Sequence, residues 1–181
     1  MEAYPSVKNL LATFPLIMEP VKATVADVQK LSTFFLQAWR EAGSGALGFT
    51  GATEETISEI ASEEFLRERL SSPDVTIYIV EDRGRILGFA STRKIDELTL
   101  ELSGIIVLES ATGRGIGTLL IEKAISAARQ WGFRKIVVKT EVLNKRAISF
   151  YKKMGLAEID KTTENVEGKA VDAVVLEKAL V

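Results

Sequence analysis

One stretch of the sequence, residues 98–142, has the pattern of a strand, a glycine-rich loop, an amphipathic helix and a second strand. The first strand reads LTLELSGIIVL, glycines then stand at positions 113, 115 and 117, the helix ends at Trp131 and Gly132, and the second strand reads FRKIVVKTEV. Two strands of one sheet that are joined through a helix run parallel, and the crossover is right-handed. This unit therefore predicts a parallel pair at the centre of a sheet, with a helix covering one face.

The flanking segments predict further elements that surround this unit. VTIYIVED and ILGFASTRK form a hairpin around Asp82, Arg83 and Gly84, and Gly104 interrupts the next strand where a bulge is natural. A short strand, IMEPVKA, comes before the first helix, for which Thr24 and Asp27 form a capping box. After a glycine-rich loop over residues 43–53, the pattern predicts a second helix, EETISEIASEEFLRERLSS. The last predicted helix is NKRAISFYKKMG, and two strands follow it, LAEIDKTT and KAVDAVVLEKAL.

This order of elements predicts an α/β fold of the α+β type. Its sheet is mixed and mostly antiparallel, has six to seven strands, and carries helices on both faces. With 181 residues, 46% of them apolar, the chain is long enough for one core. We expect residues 1–15, which contain prolines at positions 5 and 15, to form an N-terminal appendage and residues 16–181 to form a single domain.

Composition limits the partners and the chemistry. The net charge of −2 gives no general attraction to nucleic acid or anionic membranes, and no apolar run approaches the roughly 20 residues of a membrane span. The N-terminus lacks the features of a signal peptide, so we expect a cytoplasmic protein. The chain has no Cys and no His, which excludes disulfides, thiolate nucleophiles, imidazole bases and ordinary zinc sites. We expect no metal, and chemistry based on carboxylates, Tyr, Lys, Arg, hydroxyls and main-chain amides.

The three glycines stand where a helix begins, and two explanations fit them. A helix N-terminus exposes unpaired main-chain amides, and glycines there let a phosphate approach closely, with Arg114 adding charge and Thr118 a hydroxyl. The glycines alternatively allow tight packing of the helix on a strand. The spacing fails the dinucleotide fingerprint, because Thr118 stands where its last glycine belongs, and the Gly-Lys pair of the nucleotide-triphosphate loop is absent.

The stretch GIIVLESATGRGIGTLLIEKAISAARQWGFRKIVV, followed by NKRAISFYKKMGL, resembles the GCN5-related N-acetyltransferase (GNAT) family. The central motif of that family is Gln or Arg, two residues, Gly, one residue, then Gly or Ala, and Gly115 and Gly117 match its last two positions. Thr112 stands at the Gln or Arg position and Glu109 stands where a proline is frequent, so one side-chain contact to the coenzyme is absent or moved to Arg114. The resemblance runs from Val21 to about Leu176 and implies the GNAT fold with acetyl-CoA as co-substrate.

The resemblance also assigns roles to residues. Tyr151 matches the general acid, with an ordinary half-buried aromatic as the alternative, and Asn144, seven residues earlier, matches a coenzyme ligand or serves only as an N-cap. Glu101 is the first candidate for the base, with Glu97 and Glu141 in reserve; a solvent-facing strand glutamate is its alternative. The implied coenzyme-binding residues are Ile105, Ile106, Val107, Thr112, Gly113, Arg114, Gly115, Ile116, Gly117, Thr118, Asn144 and Tyr151.

The acceptor is less constrained than the coenzyme. The segments ASEEFLRERLSSPDVTIYIVEDRGRILGF and NKRAISFYKKMGL look like the subgroup that includes PaiA-type polyamine acetyltransferases, and the many glutamates of the second predicted helix suit a cationic amine. The same glutamates are alternatively a solvated helix face. We expect direct attack of a small amine or polyamine on acetyl-CoA. The alternatives are acetylation of protein N-termini or lysines, and a coenzyme A-binding module without turnover. A homodimer is compatible with each.

Overall fold

The structure, a computed structural model, describes residues 18–43, 45, 52–166 and 168–180. The predicted appendage over residues 1–15 and most of the predicted loop over residues 43–53 lie outside these ranges. The described chain forms a sheet and five α-helices. The strands are β1 (Val21–Lys22), β2 (Val75–Asp82), β3 (Arg85–Lys94), β4 (Thr99–Val107), β5 (Lys135–Glu141), β6 (Ala157–Val166) and β7 (Lys169–Ala179). The helices are α1 (Val28–Ala42), α2 (Glu54–Ile60), α3 (Glu63–Ser71), α4 (Ile116–Gln130) and α5 (Lys145–Lys153).

The predicted mixed sheet is confirmed, with seven strands in the order β1-β2-β3-β4-β5-β7-β6. Every neighbouring pair is antiparallel except β4 and β5, which α4 connects as a parallel pair. The parallel pairing spans only Thr99 to Glu101 on β4, although both strands continue beyond it. The sheet therefore opens between the carboxyl ends of β4 and β5, and this opening positions the candidate site.

The predicted bulge at Gly104 is confirmed by the pairing of β3 with β4. Thr92 pairs with Leu102 and Ser91 with Gly104, so Ser103 has no partner of its own. Beyond the bulge, Ala90 pairs with Ile105. Because paired residues share a face of the sheet and adjacent residues along a strand do not, the extra residue brings Ile105 and then Val107 onto the face that carries Leu102.

Helices cover both faces of the sheet. The α4 side chains of Ile116 and Leu120 lie against Gly88 of β3. Phe89, the next residue along that strand, instead packs against Phe34 and Phe35 of α1. Neighbouring strand residues point to opposite faces, so α1 and α4 lie on opposite sides of the sheet. None of the helices within the described ranges has the length and apolar content that crossing a bilayer requires.

The predicted capping box at the start of the first helix is confirmed. Thr24 accepts a hydrogen bond from the main chain at Ala26, and the carboxylate of Asp27 accepts one from the Thr24 main chain at 2.9 Å. The first turn, Val25–Asp27, is a 3-10 turn, and the α-helix begins at Val28. The buried face of this helix carries Val28, Leu31, Phe34, Phe35 and Ala38, whereas Trp39 is only half-buried.

The single helix predicted over residues 54–72 is wrong, because the chain breaks it into α2 and α3 at Ala61 and Ser62. The Ser62 hydroxyl accepts from the Phe65 main-chain N–H at 3.2 Å and so caps a new helix. Each new helix begins with two glutamates, at positions 54, 55, 63 and 64. Negative charge is favourable at the positive end of the helix dipole, which explains part of the acidic run without any ligand.

Candidate active site

A cavity of about 400 Å³ lies where β4 separates from β5, between the loop that follows β4 and the helices α4 and α5. It brings together the two segments that the sequence singles out, although more than 25 residues separate the loop from α5. Most predicted site residues line it: Ile105, Val107, Thr112, Gly113, Gly115, Ile116, Gly117, Thr118, Asn144 and Tyr151. Glu101, Ile106 and Arg114 do not.

The glycine loop has the conformation that glycine favours. Gly113 and Gly115 have φ of 81° and 77°, and a Cβ at either position would meet no atom within 4 Å. Tight packing therefore does not explain these two glycines, whereas the left-handed backbone does. Close packing of helix on strand occurs instead at Gly88.

The N-terminus of α4 faces this cavity with unpaired donors. Gly115 is the N-cap residue and supplies no side-chain cap, and the first hydrogen bond of the helix runs from the Leu119 N–H to the Gly115 carbonyl at 3.1 Å. The amides of Ile116, Gly117 and Thr118 therefore have no carbonyl to bond within the helix. Free amides at the positive end of a helix dipole are suited to bind an anion.

Arg114 belongs to this loop, but its guanidinium points away from the cavity. It lies 3.5 Å from the Asp82 carboxylate and 3.5 Å from the sulfur of Met18. Among the described residues that line the cavity, the cation is Arg146 of α5, which donates to the Thr112 hydroxyl at 3.5 Å and lies 3.5 Å from the Glu109 carboxylate. Neither Arg146 nor Glu109 is among the site residues predicted from the sequence.

Tyr151 lies in the cavity wall and is only 6% exposed. Burial raises the pKa of its hydroxyl to about 12, so the group stays protonated throughout the neutral range. Two turns earlier, Asn144 is the N-cap of α5, and its Oδ1 accepts from the Ala147 N–H at 3.0 Å. The cap therefore uses the side-chain oxygen, and Asn144 also lines the cavity.

Glu101 is buried, 8% exposed, on the face of β4 opposite Leu100 and Leu102. Arg93 donates to its Oε2 from Nε at 3.0 Å and from Nη2 at 2.8 Å, and the Ser103 hydroxyl donates to the same atom at 3.3 Å. The alternative of a solvent-facing strand glutamate is therefore wrong. Accepting a proton would require this pair to loosen, or the proton to bind Oε1.

The reserve candidates occupy different surroundings. Glu97 is exposed in the turn between β3 and β4, where its carboxylate lies 3.4 Å from Lys94, and it does not line the cavity. Glu141 is 2% exposed at the end of β5, beside the opening of the sheet. Its position is therefore closer to the cleft than that of Glu97.

The sequence profile of the acetyltransferase (GNAT) family matches residues 35–156, which include the opening of the sheet, the glycine loop and α5. The chain belongs to the acetyltransferase (GNAT) family. An uncharacterized N-acetyltransferase of Mycobacterium tuberculosis is 32% identical over 88 residues, 49% of this chain and 56% of that protein. One from Methanocaldococcus jannaschii is 37% identical over 87 residues, 45% of this chain and 38% of that protein. The chain spans about half the length of these curated relatives.

Solved GNAT structures share the fold over nearly the whole chain. The PaiA N-acetyltransferase of Thermoplasma acidophilum, solved in complex with coenzyme A, has a TM-score of 0.68 at 20% identity, covering 91% of this chain and 99% of that one. The ribosomal-protein-S18-alanine N-acetyltransferase of Escherichia coli has a TM-score of 0.66 at 16% identity, covering 91% and 94%. At these identities the likeness establishes the GNAT fold, as the sequence predicts.

Within this GNAT fold, several residues that line the cavity are not among those predicted from the sequence. The family motif does not define the residues at positions 109, 146 and 150, and Glu109, Arg146 and Phe150 all line the cavity. A signal for Arg146 was present, because Lys145 and Arg146 place two cations in the first turn of α5, where the helix dipole disfavours them. Glu109 stood out only as the residue in place of the frequent proline.

Proposed function

We propose that this chain is an acetyl-CoA-dependent N-acetyltransferase that acetylates a primary amine by direct attack in a ternary complex. The observation that carries the proposal is the meeting, in one cavity, of the open N-terminus of α4 with the buried hydroxyl of Tyr151. Membership of the GNAT family and the coenzyme A bound to the PaiA protein support it.

The residues present fit the coenzyme. The amides of Ile116, Gly117 and Thr118 suit its diphosphate, and the bare loop leaves that approach open. The edge of β4 that faces β5 loses its strand partner after Glu101, which leaves main-chain groups near Ile105 and Val107 to pair with an extended pantetheine arm. Asn144 lines the same cavity.

When bound, acetyl-CoA supplies an acetyl group activated as a thioester. Tyr151 holds a proton at its hydroxyl and lines the cavity, so it is suited to donate toward the departing sulfur. Burial makes the tyrosinate unfavourable, so the hydroxyl regains a proton readily after each turnover. Main-chain amides at the β4 bulge would suit stabilisation of negative charge on the acetyl oxygen of the bound thioester.

The acceptor must lose a proton before it attacks, because an alkylammonium has no free electron pair. We assign Glu101 as the acceptor of that proton, directly or through water, with Glu141 as the alternative beside the opening of the sheet. Without Cys or His in the chain, an acetylated enzyme intermediate has no obvious nucleophile, which favours direct attack.

For the acceptor, we propose a small amine or polyamine. Glu54 and Glu55 line an open depression together with Thr53 and Ser58, and clustered carboxylates attract a polycation. The PaiA fold relative supports this class, whereas the ribosomal-protein-S18-alanine enzyme supports a protein N-terminus as the second candidate. The TM-scores of these two structures, 0.68 and 0.66, are similar and favour neither class of acceptor.

The test measures binding and turnover separately. A rise in melting temperature on adding acetyl-CoA reports binding, and release of free thiol reports transfer to spermidine, to a peptide with a free N-terminus, or to a lysine peptide. Fully N-acetylated spermidine is the control without a reactive amine. Thiol release with spermidine alone supports the polyamine proposal, and release with a peptide alone replaces it by protein acetylation. Binding without release on any amine favours a coenzyme A-binding module.

A further inference from the structure

Two arginines border the glycine loop, and only one of them points into the cleft. Arg114 follows Gly113, but it is paired with Asp82 outside the cavity, 3.5 Å from that carboxylate. Arg146 comes from α5 and reaches across the cleft to the Thr112 hydroxyl, also at 3.5 Å. Thr112 occupies the position at which the family motif carries Gln or Arg. A guanidinium from another element thus lies beside the position where this chain lacks the Gln or Arg of the motif.

We propose that Arg146 is the side-chain ligand of the coenzyme diphosphate, and that Glu109 holds this guanidinium inside the cleft until the diphosphate displaces the carboxylate. The inference rests on the proposed function. It adds Arg146 as a coenzyme-binding residue and Glu109 as a carboxylate that competes with the diphosphate for Arg146. In this scheme Glu109 is an internal substitute for the phosphate. The chain therefore carries its own weak competitor for coenzyme binding.

The geometry of the ion pair suits such an exchange. The Arg146 and Glu109 side chains are 72% and 55% exposed, and their closest atoms are 3.5 Å apart. Exposed pairs of this kind contribute little to stability, so releasing the carboxylate costs little. A guanidinium binds phosphate through two charge-assisted hydrogen bonds, which are stronger than one long contact to a carboxylate.

The position of Arg146 is difficult to explain by local stability. It lies with Lys145 in the first turn of α5, which has no acidic residue, and cations near a helix N-terminus are disfavoured by the dipole. The first turn of α5 is therefore locally cationic, although the chain as a whole carries a net charge of −2. An anion bound in the cleft would offset both the dipole and the charge.

The experiment measures dissociation constants by calorimetry for coenzyme A, 3′-dephospho-coenzyme A and pantetheine, which differ in their phosphates. Arg146→Ala is expected to weaken the first two by about tenfold and to leave pantetheine unaffected, since each charge-assisted contact to phosphate is strong. Lys145→Ala, which removes a charge from the same turn outside the cavity wall, is the matched control and is expected to change binding less than about twofold. Arg114→Ala is expected to weaken binding less than Arg146→Ala.

Glu109→Gln tests the competition. It is expected to tighten binding of coenzyme A and of the dephospho form about threefold, because the diphosphate no longer displaces a carboxylate. Most of this gain should vanish when Arg146 is also replaced. Weaker binding in Glu109→Gln would overturn the competition.

Other outcomes overturn the role of Arg146. A loss in Arg146→Ala that appears with coenzyme A but not with its dephospho form moves the contact to the 3′-phosphate, and unchanged binding removes the contact altogether. If the unmodified protein binds no coenzyme, the proposed function itself fails, and this result is distinct from the others. Circular dichroism melting of each variant establishes that it is folded.

Discussion

The side chain of Ile116 occupies the space that a Cβ on Gly88 would need, so the first turn of α4 lies directly on the bare main chain of β3. Leu120, one turn later, contacts the same position. The distance between the α4 N-terminus and the sheet therefore depends on Gly88, although no residue of β3 lines the cavity. The amides that face the cleft depend on this packing.

Gly88→Ala is expected to lower the free energy of unfolding by about 1 to 3 kcal/mol, because an added methyl group must displace α4 or β3. Urea unfolding measures the loss, and calorimetry is expected to show weaker coenzyme binding as the helix shifts. Gly104→Ala is the matched control for stability, since a Cβ there meets no atom within 4 Å. Equal stability of the two variants would contradict the packing argument.

The matched control for Gly115 is Gly132, which lies beyond the C-terminal end of α4. Both have positive φ, 77° and 84°, with open space around a built Cβ. Substitution by Ala at either position is expected to cost about 1 to 2 kcal/mol of stability, because the left-handed backbone is strained for an L side chain. Only Gly115→Ala should also raise the coenzyme dissociation constant, by about tenfold. Equal dissociation constants for the two variants would separate the loop from coenzyme binding.

The features predicted correctly from the sequence are those with a local signal. The bulge at Gly104, the capping box of Thr24 and the glycine loop each depend on a few adjacent residues. The parallel crossover follows from the order strand, helix, strand. Together these features place the glycine loop directly after a central parallel strand, which is where the structure shows the cavity.

The features that the sequence did not predict depend on contacts between distant segments or on a local conflict. Arg114 turns to Asp82 and Arg146 turns to Thr112, and neither partner is identifiable before the fold is known. The break at Ser62 was missed because apolar residues at positions 57, 60, 65 and 66 keep a helical period across it. In that case the cap signal overrides periodicity.

Tyr151→Phe is expected to lower kcat roughly 10- to 1000-fold with little change in the coenzyme dissociation constant, because it removes only the proton donor. Steady-state kinetics and calorimetry on the same sample separate the two effects. Tyr78→Phe is the matched control, because Tyr78 is also buried with a raised pKa but lies on β2, outside the cavity wall. Full turnover in Tyr151→Phe would remove the acid role from this residue.

The raised pKa of Tyr151 also predicts how stability depends on alkaline pH. Burial moves the pKa from 10 to about 12, so below pH 10 both the folded and unfolded chains keep the proton. Between pH 10 and 12 the unfolded chain releases it first, and the free energy of unfolding falls as pH rises, by up to about 3 kcal/mol. Urea unfolding at pH 9, 10 and 11 is expected to show a shallower decline in Tyr151→Phe. Parallel declines would contradict the shift.

Glu101→Gln tests whether Glu101 accepts the proton. Because Arg93 forms an ion pair with Glu101, a second variant at Arg93 is needed to interpret the result. If Glu101 takes the proton from the acceptor, the variant should lose kcat by roughly 100-fold while the coenzyme dissociation constant stays the same, since general-base catalysis contributes about that factor. Glu177→Gln is the matched control, because it breaks a strand ion pair, with Lys135 at 2.9 Å, that lies outside the cavity wall.

Arg93→Ala then separates basicity from simple packing. This variant frees the Glu101 carboxylate from two of its three donors, so it is expected to destabilise the fold while shifting the pH–rate profile of the remaining activity. A purely structural Glu101 would give lower stability in both variants with an unchanged profile. Retention of kcat in Glu101→Gln would transfer the proton-accepting role to Glu141 or to water, because the carboxylate at position 101 would then serve only to hold Arg93 between β3 and β4.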